Sequence, residues 1–197
     1  MNAPTRLSQA IAEGDGISLI ARVETADDAR RAESDGAEAL LLHGGRQQVL
    51  DEIRTATSLP VLFYWEREHG DELQGADACV VDARGDRDRE WLRFVHGRVG
   101  DSHEIALRIG DDEHLHDALE EFDPEIVILA AAAADREEAL EQVLDLLPDL
   151  PAGKLAIAEL PVSSRDEVLA LERAGIDGVV IDAGRVGDLA AEEPPDV

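Results

Sequence analysis

Lysine and cysteine are almost missing from this chain. Lys154 is the one lysine and Cys79 the one cysteine in 197 residues. A single cysteine excludes an intrachain disulfide and a cysteine-based zinc site. Cys79 lies inside the apolar run 78–81, where a thiol reads as a buried, inert packing residue. Lys154 stands at the amino end of another apolar run, away from any strand-end site, so a Schiff-base aldolase is excluded as well. Bases of any kind are few, 18 against 45 acids, and the formal charge is -27. That balance argues against nucleic acid or an anionic membrane as a partner. No run approaches the roughly 20 apolar residues of a membrane span. The polar N-terminus has no signal-peptide core, and the expectation is a soluble, cytoplasmic protein.

What is present in quantity is acid, spread along the whole chain. Apolar residues still make up 44%, enough for a full core in one domain. Self-repulsion on this scale is best tolerated where salt screens it, since the Debye length falls to about 3 Å at 1 M. The composition points to a halophilic, salt-accumulating cytoplasm.

Residues 1–15 read as a polar segment with a short helix at 7–13, and residues 191–197 as an acidic tail. Between them, 16–190 read as one domain. Apolar runs of strand length lie at 17–23, 39–42, 60–65, 78–81, 105–109, 126–129, 155–158 and 178–181. Amphipathic segments of helix length separate them, started by Thr25, Asp111, Asp112, Ser163 and Ser164, whose oxygens suit free amides at a helix start. Three segments share one frame, DGAEALLLH, QGADACVVD and AGIDGVVID, with glycine at 36, 75 and 175; FDPEIVILA fits with Pro124 in the glycine slot. A βαβα unit repeated four times predicts a minimal closed (β/α)8 barrel built from quarters. The alternative is an open doubly wound sheet, which the missing edge-strand signal disfavours.

Side chains alternate along a strand, so the frame predicts which residues converge on the carboxyl-end mouth. They are Arg22, His43, Tyr64, Asp82, Arg108, Glu159 and Asp182, with Ala131 as the apolar exception; Glu24, Glu66 and Arg84 follow one step further on. So many charged groups on one concave surface are costly unless they pair or bind something. Three readings follow. In the first, Arg22 and Arg108 hold a small anionic metabolite, oriented by Tyr64, His43 and Asp182, while Glu159 and Asp82 act as an acid/base pair. Gly44, Gly45, Ser163, Gly184 and Arg185 would supply amides, hydroxyl and charge at the rim. In the second, the arginines pair with the three acids as a structural plug. In the third, Asp82, Glu159, Asp182 and His43 hold a divalent metal, a need the adjacent arginines reduce. The pattern calls for no cofactor and no metal, and is compatible with a monomer or homodimer. His114 and His116, two apart on a helix, do not face one ligand. His96 and His103 read as surface residues, and Trp91 and Phe94 as core-facing.

The stretch AELPVSSRDEVLALERAGIDGVVID resembles the seventh and eighth strands of indole-3-glycerol-phosphate synthase, one of the ribulose-phosphate-binding barrels. IRTATSLPVLFYW resembles that family's approach to its third strand, and IGDDEHLHDALEEF the segment after its fifth. VETADDARRAESDGAEAL is similar to phosphoribosylanthranilate isomerase, a sister barrel of like length. The resemblance implies the barrel fold, isomerase or lyase chemistry on a phosphorylated metabolite, and a catalytic role for Glu159. Other family positions are replaced. Tyr64 falls where the family has a catalytic lysine and Arg108 where it has a glutamate. The first strand reads Ala21-Arg22-Val23-Glu24 for Ala-Glu-Ile-Lys, and Ala21 also replaces the isomerase's cysteine base. Pro161 stands for a phosphate-loop glycine, and Asp182-Ala183-Gly184 for Gly-Glu-Ser.

Overall fold

A computed structural model describes residues 7–12, 14, 16–43, 47–65, 73–83, 88–99, 103–121, 124–133 and 135–190. Eight parallel strands close into a barrel in sequence order. They are β1 (Ser18–Val23), β2 (Ala39–His43), β3 (Val61–Tyr64), β4 (Ala78–Asp82), β5 (Glu104–Ile109), β6 (Ile126–Ala130), β7 (Leu155–Glu159) and β8 (Gly178–Asp182). The closing pair aligns Ser18 with Gly178 and Arg22 with Asp182. Helices on the outside are α2 (Ala26–Ser34), α3 (Gln47–Ala56), α4 (Asp88–Val99), α5 (Asp112–Glu121), α6 (Arg136–Leu146), α7 (Arg165–Ala174) and the short α8 (Val186–Leu189). The link from β3 to β4 lies largely outside the described residues.

The strand period of two divides the apolar residues into two bodies. Ile20, Leu41, Leu62, Val80, Ala106, Ile128, Ile157 and Val180 point inward and fill the barrel. Their neighbours in sequence point outward and pack beneath the helices, Leu40, Phe63, Val81, Leu107 and Val179 among them. Cys79 is in this outer layer and fully buried. The N-terminal segment is not only polar. Its helix α1 (Leu7–Ala12) sends Leu7 and Ile11 into the barrel's own interior cluster. Ser8 fixes that helix, donating its amide N–H to Glu104 at 3.1 Å and its hydroxyl to the same carboxylate. The amino end of the barrel is thereby closed. Burying a leucine such as Leu7 contributes about 1.5–3 kcal/mol.

The repeat has a structural cause at that same end. Gly36, Gly75 and Gly175 have φ of 98, 101 and 100°, a left-handed turn that costs a side chain strain and glycine none. Two residues later each frame places an acid. Asp77 accepts the N–H of Val61 at 2.7 Å, and Asp177 that of Ala156 at 2.8 Å. Glu38 accepts the hydroxyl of Ser18 at 2.7 Å. Each carboxylate thus ties the strand that follows its turn to the start of the strand before it. Arg54 of α3 locks Asp77 in place while donating to the carbonyls of Leu59 and Gly75.

Three sequence expectations need correction. Pro124 is not the glycine slot: Ile126, Ile128 and Ala130 have the inward parity of β6, so the frame fits with its slot at residue 123. The inward strand-end position is therefore Ala130, aligned with Glu159, while Ala131, one residue on, packs against the outer layer and lines the mouth cavity. Phe94 is 55% exposed rather than core-facing. Trp65 is buried and meets Trp91 at 5.4 Å with the rings tilted by 46°; Phe94 stacks on Trp91 at 5.6 Å as the outer leaf. His103 is half-buried, its ring 3.0 Å from the carbonyl of Leu73, so it is not a free surface residue. The side chain of His96 lies outside the described residues.

Helix starts follow the predicted chemistry. Thr25 forms a capping box with Asp28, Asp135 caps α6 and Ser164 caps α7. Asp111 accepts the N–H of His114 at 2.9 Å, and the His114 ring turns back onto the same carboxylate rather than toward His116.

Candidate functional site

The parity that fills the barrel with aliphatic residues carries seven polar side chains to its carboxyl end, and they form one continuous chain of contacts. Asp182 accepts from Arg22 at 3.0 Å, and Arg22 donates its other terminal nitrogen to Glu159 at 2.9 Å. Glu159 in turn accepts the Nε–H of Arg108 at 2.5 Å, and Arg108 donates to Asp82 at 3.1 Å. The Tyr64 hydroxyl donates to the second oxygen of Asp82. His43 closes the series with its ring edge-on to Tyr64, the centroids 4.2 Å apart. Every one of the seven predicted mouth residues is reached by another of the seven.

Two guanidiniums face three carboxylates, and burial grades their strength. Arg108 and Glu159 each expose 16% of their side chains, but Asp182 exposes 73%. Burial works to lower the pKa of Arg108, yet the hydrogen bonds and charges of Glu159 and Asp82 outweigh it and raise the value above its ordinary range. The centre of the network is therefore the Arg108–Glu159 pair. Its loose end is Asp182.

Beside the network lies an open cavity of about 380 Å³, lined by Arg22, Arg108, Glu159, Asp182, Arg185 and the Leu160–Val162 wall, with Val180 at its base. Five predicted site residues thus meet in one space. His43, Tyr64 and Asp82 belong to the same network but do not line it. Gly184 is exposed in a 3-10 turn, Ala183–Arg185, with open space around it. Ser163 is at the rim, engaged by Glu167 and Arg136. Glu24 is exposed before α2. Gly44, Gly45, Glu66 and Arg84 lie outside the described residues. Among the described residues no three His, Cys, Asp or Glu side chains gather closely enough to hold a metal ion. The two arginines stand between the acids and take up their oxygens.

Sequence reasoning missed three participants. Ala130 was hidden by the one-residue shift in the repeat frame. Glu167 and Gln142 sit on helices, and only the folded loops bring them to the rim; Gln142 accepts the N–H groups of Ala132 and Ala133 at 3.1 and 3.3 Å.

Fold and site together define a (β/α)8 barrel with a charged carboxyl-end mouth. No family model matches the sequence. The chain is 26% identical over 183 residues to an indole-3-glycerol phosphate synthase from Variovorax paradoxus (strain S110). That alignment takes in 90% of this chain and spans 65% of the length of the relative. Solved structures with the same fold include a protein from Burkholderia cenocepacia J2315 described as a phosphonomutase, with TM-score 0.61 and 17% identity over 90% of this chain and 89% of that one. Another is thiamine phosphate pyrophosphorylase from Pyrococcus furiosus, with TM-score 0.65 and 13% identity over 88% and 90%. No helix among the described residues is long and apolar enough to cross a membrane.

Proposed function

We propose that the protein binds a small anionic metabolite at the carboxyl-end mouth and moves a proton on it, in isomerase or lyase-type chemistry. The observation that carries this reading is the 380 Å³ cavity whose wall includes Glu159 held between Arg22 and Arg108. Arg22 and Arg185 are the cations a ligand reaches, both partly exposed. Glu159 is the carboxylate that faces the reacting atoms, fixed in direction by a guanidinium on each oxygen. Asp82 is the second acid/base group, and the Tyr64 hydroxyl on it is a proton donor within reach of the network. The three relatives are named for phosphate or phosphonate compounds, which supports an anionic metabolite as the class.

The test is a thermal-shift screen of carboxylates and sugar phosphates in potassium chloride, followed by turnover assays on the hits. A ligand at 100 times its dissociation constant adds about 2.7 kcal/mol to the folded state. Glu159→Gln should keep ligand binding and lose turnover. Retained turnover in that variant would remove Glu159 from the mechanism.

A second reading, a non-catalytic barrel whose mouth is a charge-paired plug and which serves as a binding or interaction protein, is favoured by the complete mutual pairing of the seven residues. It expects no anion to stabilise the fold.

A further inference from the structure

We infer that the exposed face of α4 is a self-complementary docking surface for a second copy of this chain, the two helices pairing antiparallel across Phe94. That face lies on the flank of the barrel, and its pairing does not depend on what the mouth binds.

A lone exposed aromatic is ordinary on a protein surface. Phe94 is set apart by its place, by a gap beside it and by charge. Trp65, Trp91 and Phe94 form one aromatic group, with centroids 5.4 Å apart for the two tryptophans and 5.6 Å from Trp91 to Phe94. The chain has two tryptophans, one tyrosine and three phenylalanines, so half of its aromatics gather here. The group runs outward from buried Trp65 and ends in Phe94, the one large apolar side chain exposed among the described residues.

The gap is at Gly97, three residues on and exposed on the same helix. Glycine in a helix interior weakens the helix. Packing within one copy gives no cause for it, since a Cβ at this position would meet nothing within 4 Å. A second helix drawn close to α4 would need that space. Charge favours the same face. α4 carries three arginines against two acids, and it is the one described helix whose balance is positive. On a chain of formal charge -27, it is the helix at which a second copy meets least repulsion.

The order of these residues suits a two-fold contact, in which one surface meets itself. With two copies of α4 antiparallel and Phe94 at the axis, Glu90 of each copy lies at the level of Arg98 of the other. Trp91 likewise lies at the level of Gly97. Phe94 meets Phe94 and joins the two aromatic groups. Glu90, Arg93, Phe94, Gly97 and Arg98 are all exposed, so the face is open to a partner. One helix on one helix buries little area, and the dimer is therefore weak and concentration-dependent. Salt that screens the acidic coat should tighten it.

The test is sedimentation velocity of the full chain in about 1 M potassium chloride, at protein concentrations up to about 1 mM, read together with tryptophan emission. Both tryptophans belong to the aromatic group, so emission reports on this surface. Wild type should pass from monomer to dimer as concentration rises, with emission moving to the blue. Phe94→Asp and Gly97→Leu should each raise the dissociation constant about tenfold or more. Leucine is the better helix former, so Gly97→Leu should keep or raise the melting temperature, and its lost dimer is then no folding defect. Positions 90 and 98 are about 12 Å apart along one helix, too far to pair within a copy. Glu90→Arg and Arg98→Glu should each weaken the dimer, and the double reversal should restore it. A wild type that stays monomeric throughout would overturn the inference. So would a dimer that Phe94→Asp and Gly97→Leu both leave intact, because its contact lies elsewhere on the chain. A dimer lost in those two variants but not restored by the double reversal would overturn the antiparallel register.

Discussion

Arg108 on β5 donates to Glu159 on β7 at 2.5 Å across the end of β6, a strand that lies between them. The bridge is possible because β6 ends at that level in Ala130, a buried methyl group aligned with Glu159. A larger side chain there would stand in the path of the guanidinium. Arg108→Ala leaves Glu159 and Asp82 without their buried partner and should cost about 3 kcal/mol. Ala130→Leu should destabilise by a similar amount, through crowding and the same broken pair. Asp182→Asn, at the exposed end of the network, should change stability by less than about 1 kcal/mol. Urea unfolding of the three variants at one salt concentration orders them; equal effects would show that the network is not graded by burial.

The carboxylates at the opposite end of the barrel should matter as much as those at the mouth. Asp177→Ala removes the acceptor of the Ala156 N–H, and Asp77→Ala that of the Val61 N–H together with the partner of Arg54. Each loses a charge-assisted hydrogen bond at a strand start, about 1.5–3 kcal/mol. Asp77→Ala should be the more costly because it also leaves a half-buried arginine without its carboxylate. Calorimetric melting of the two variants decides it, and turnover, once an assay exists, should survive in both.

The strands were legible because each is a short apolar run of period two, and the mouth residues because the same period carries parity to the strand ends. Partnership was not legible. That Arg108 reaches past β6 to Glu159 as well as to Asp82 on the adjacent β4 depends on the size of Ala130 and on closure of the sheet. The acids of the repeat were visible in DGAE, QGAD and AGID, but their work lies at the amino end, on the strand before them, which no local pattern reveals. Phe94 has helical spacing with Trp91 and still faces outward, since periodicity fixes a common side of the helix and not the depth of each residue. The contact of Ser163 with Glu167 required the loop after β7 to fold over the start of α7.

Net charge makes salt a further variable. With a formal charge of -27, self-repulsion opposes the folded state at low ionic strength. Raising potassium chloride from about 0.1 to 1 M shortens the Debye length from about 10 to 3 Å, which relieves that repulsion. The melting temperature should climb across this range, steeply at first. A flat or falling curve would count against salt adaptation as the reason for the acidic coat.

Cys79 supplies a test of the core that is independent of every charged group at the mouth. Burial in the layer between barrel and helices pushes its thiol up from 9.0 to about 12, because a thiolate there would lose its hydration. A reagent that needs thiolate should therefore leave the native protein unlabelled at pH 8 and label it fully in denaturant. The sign of the pH dependence follows from the same shift. The folded state keeps the proton that the unfolded chain releases near pH 9, so this contribution to stability is complete below that pH. It is lost as the pH rises toward 12. Cys79→Ala should remove that part of the alkaline decline, at the cost of a small cavity in the outer layer. Labelling of the native protein at pH 8 at a rate close to that of a free thiol would mean that α4 and the strand beneath it open far more readily than their packing allows.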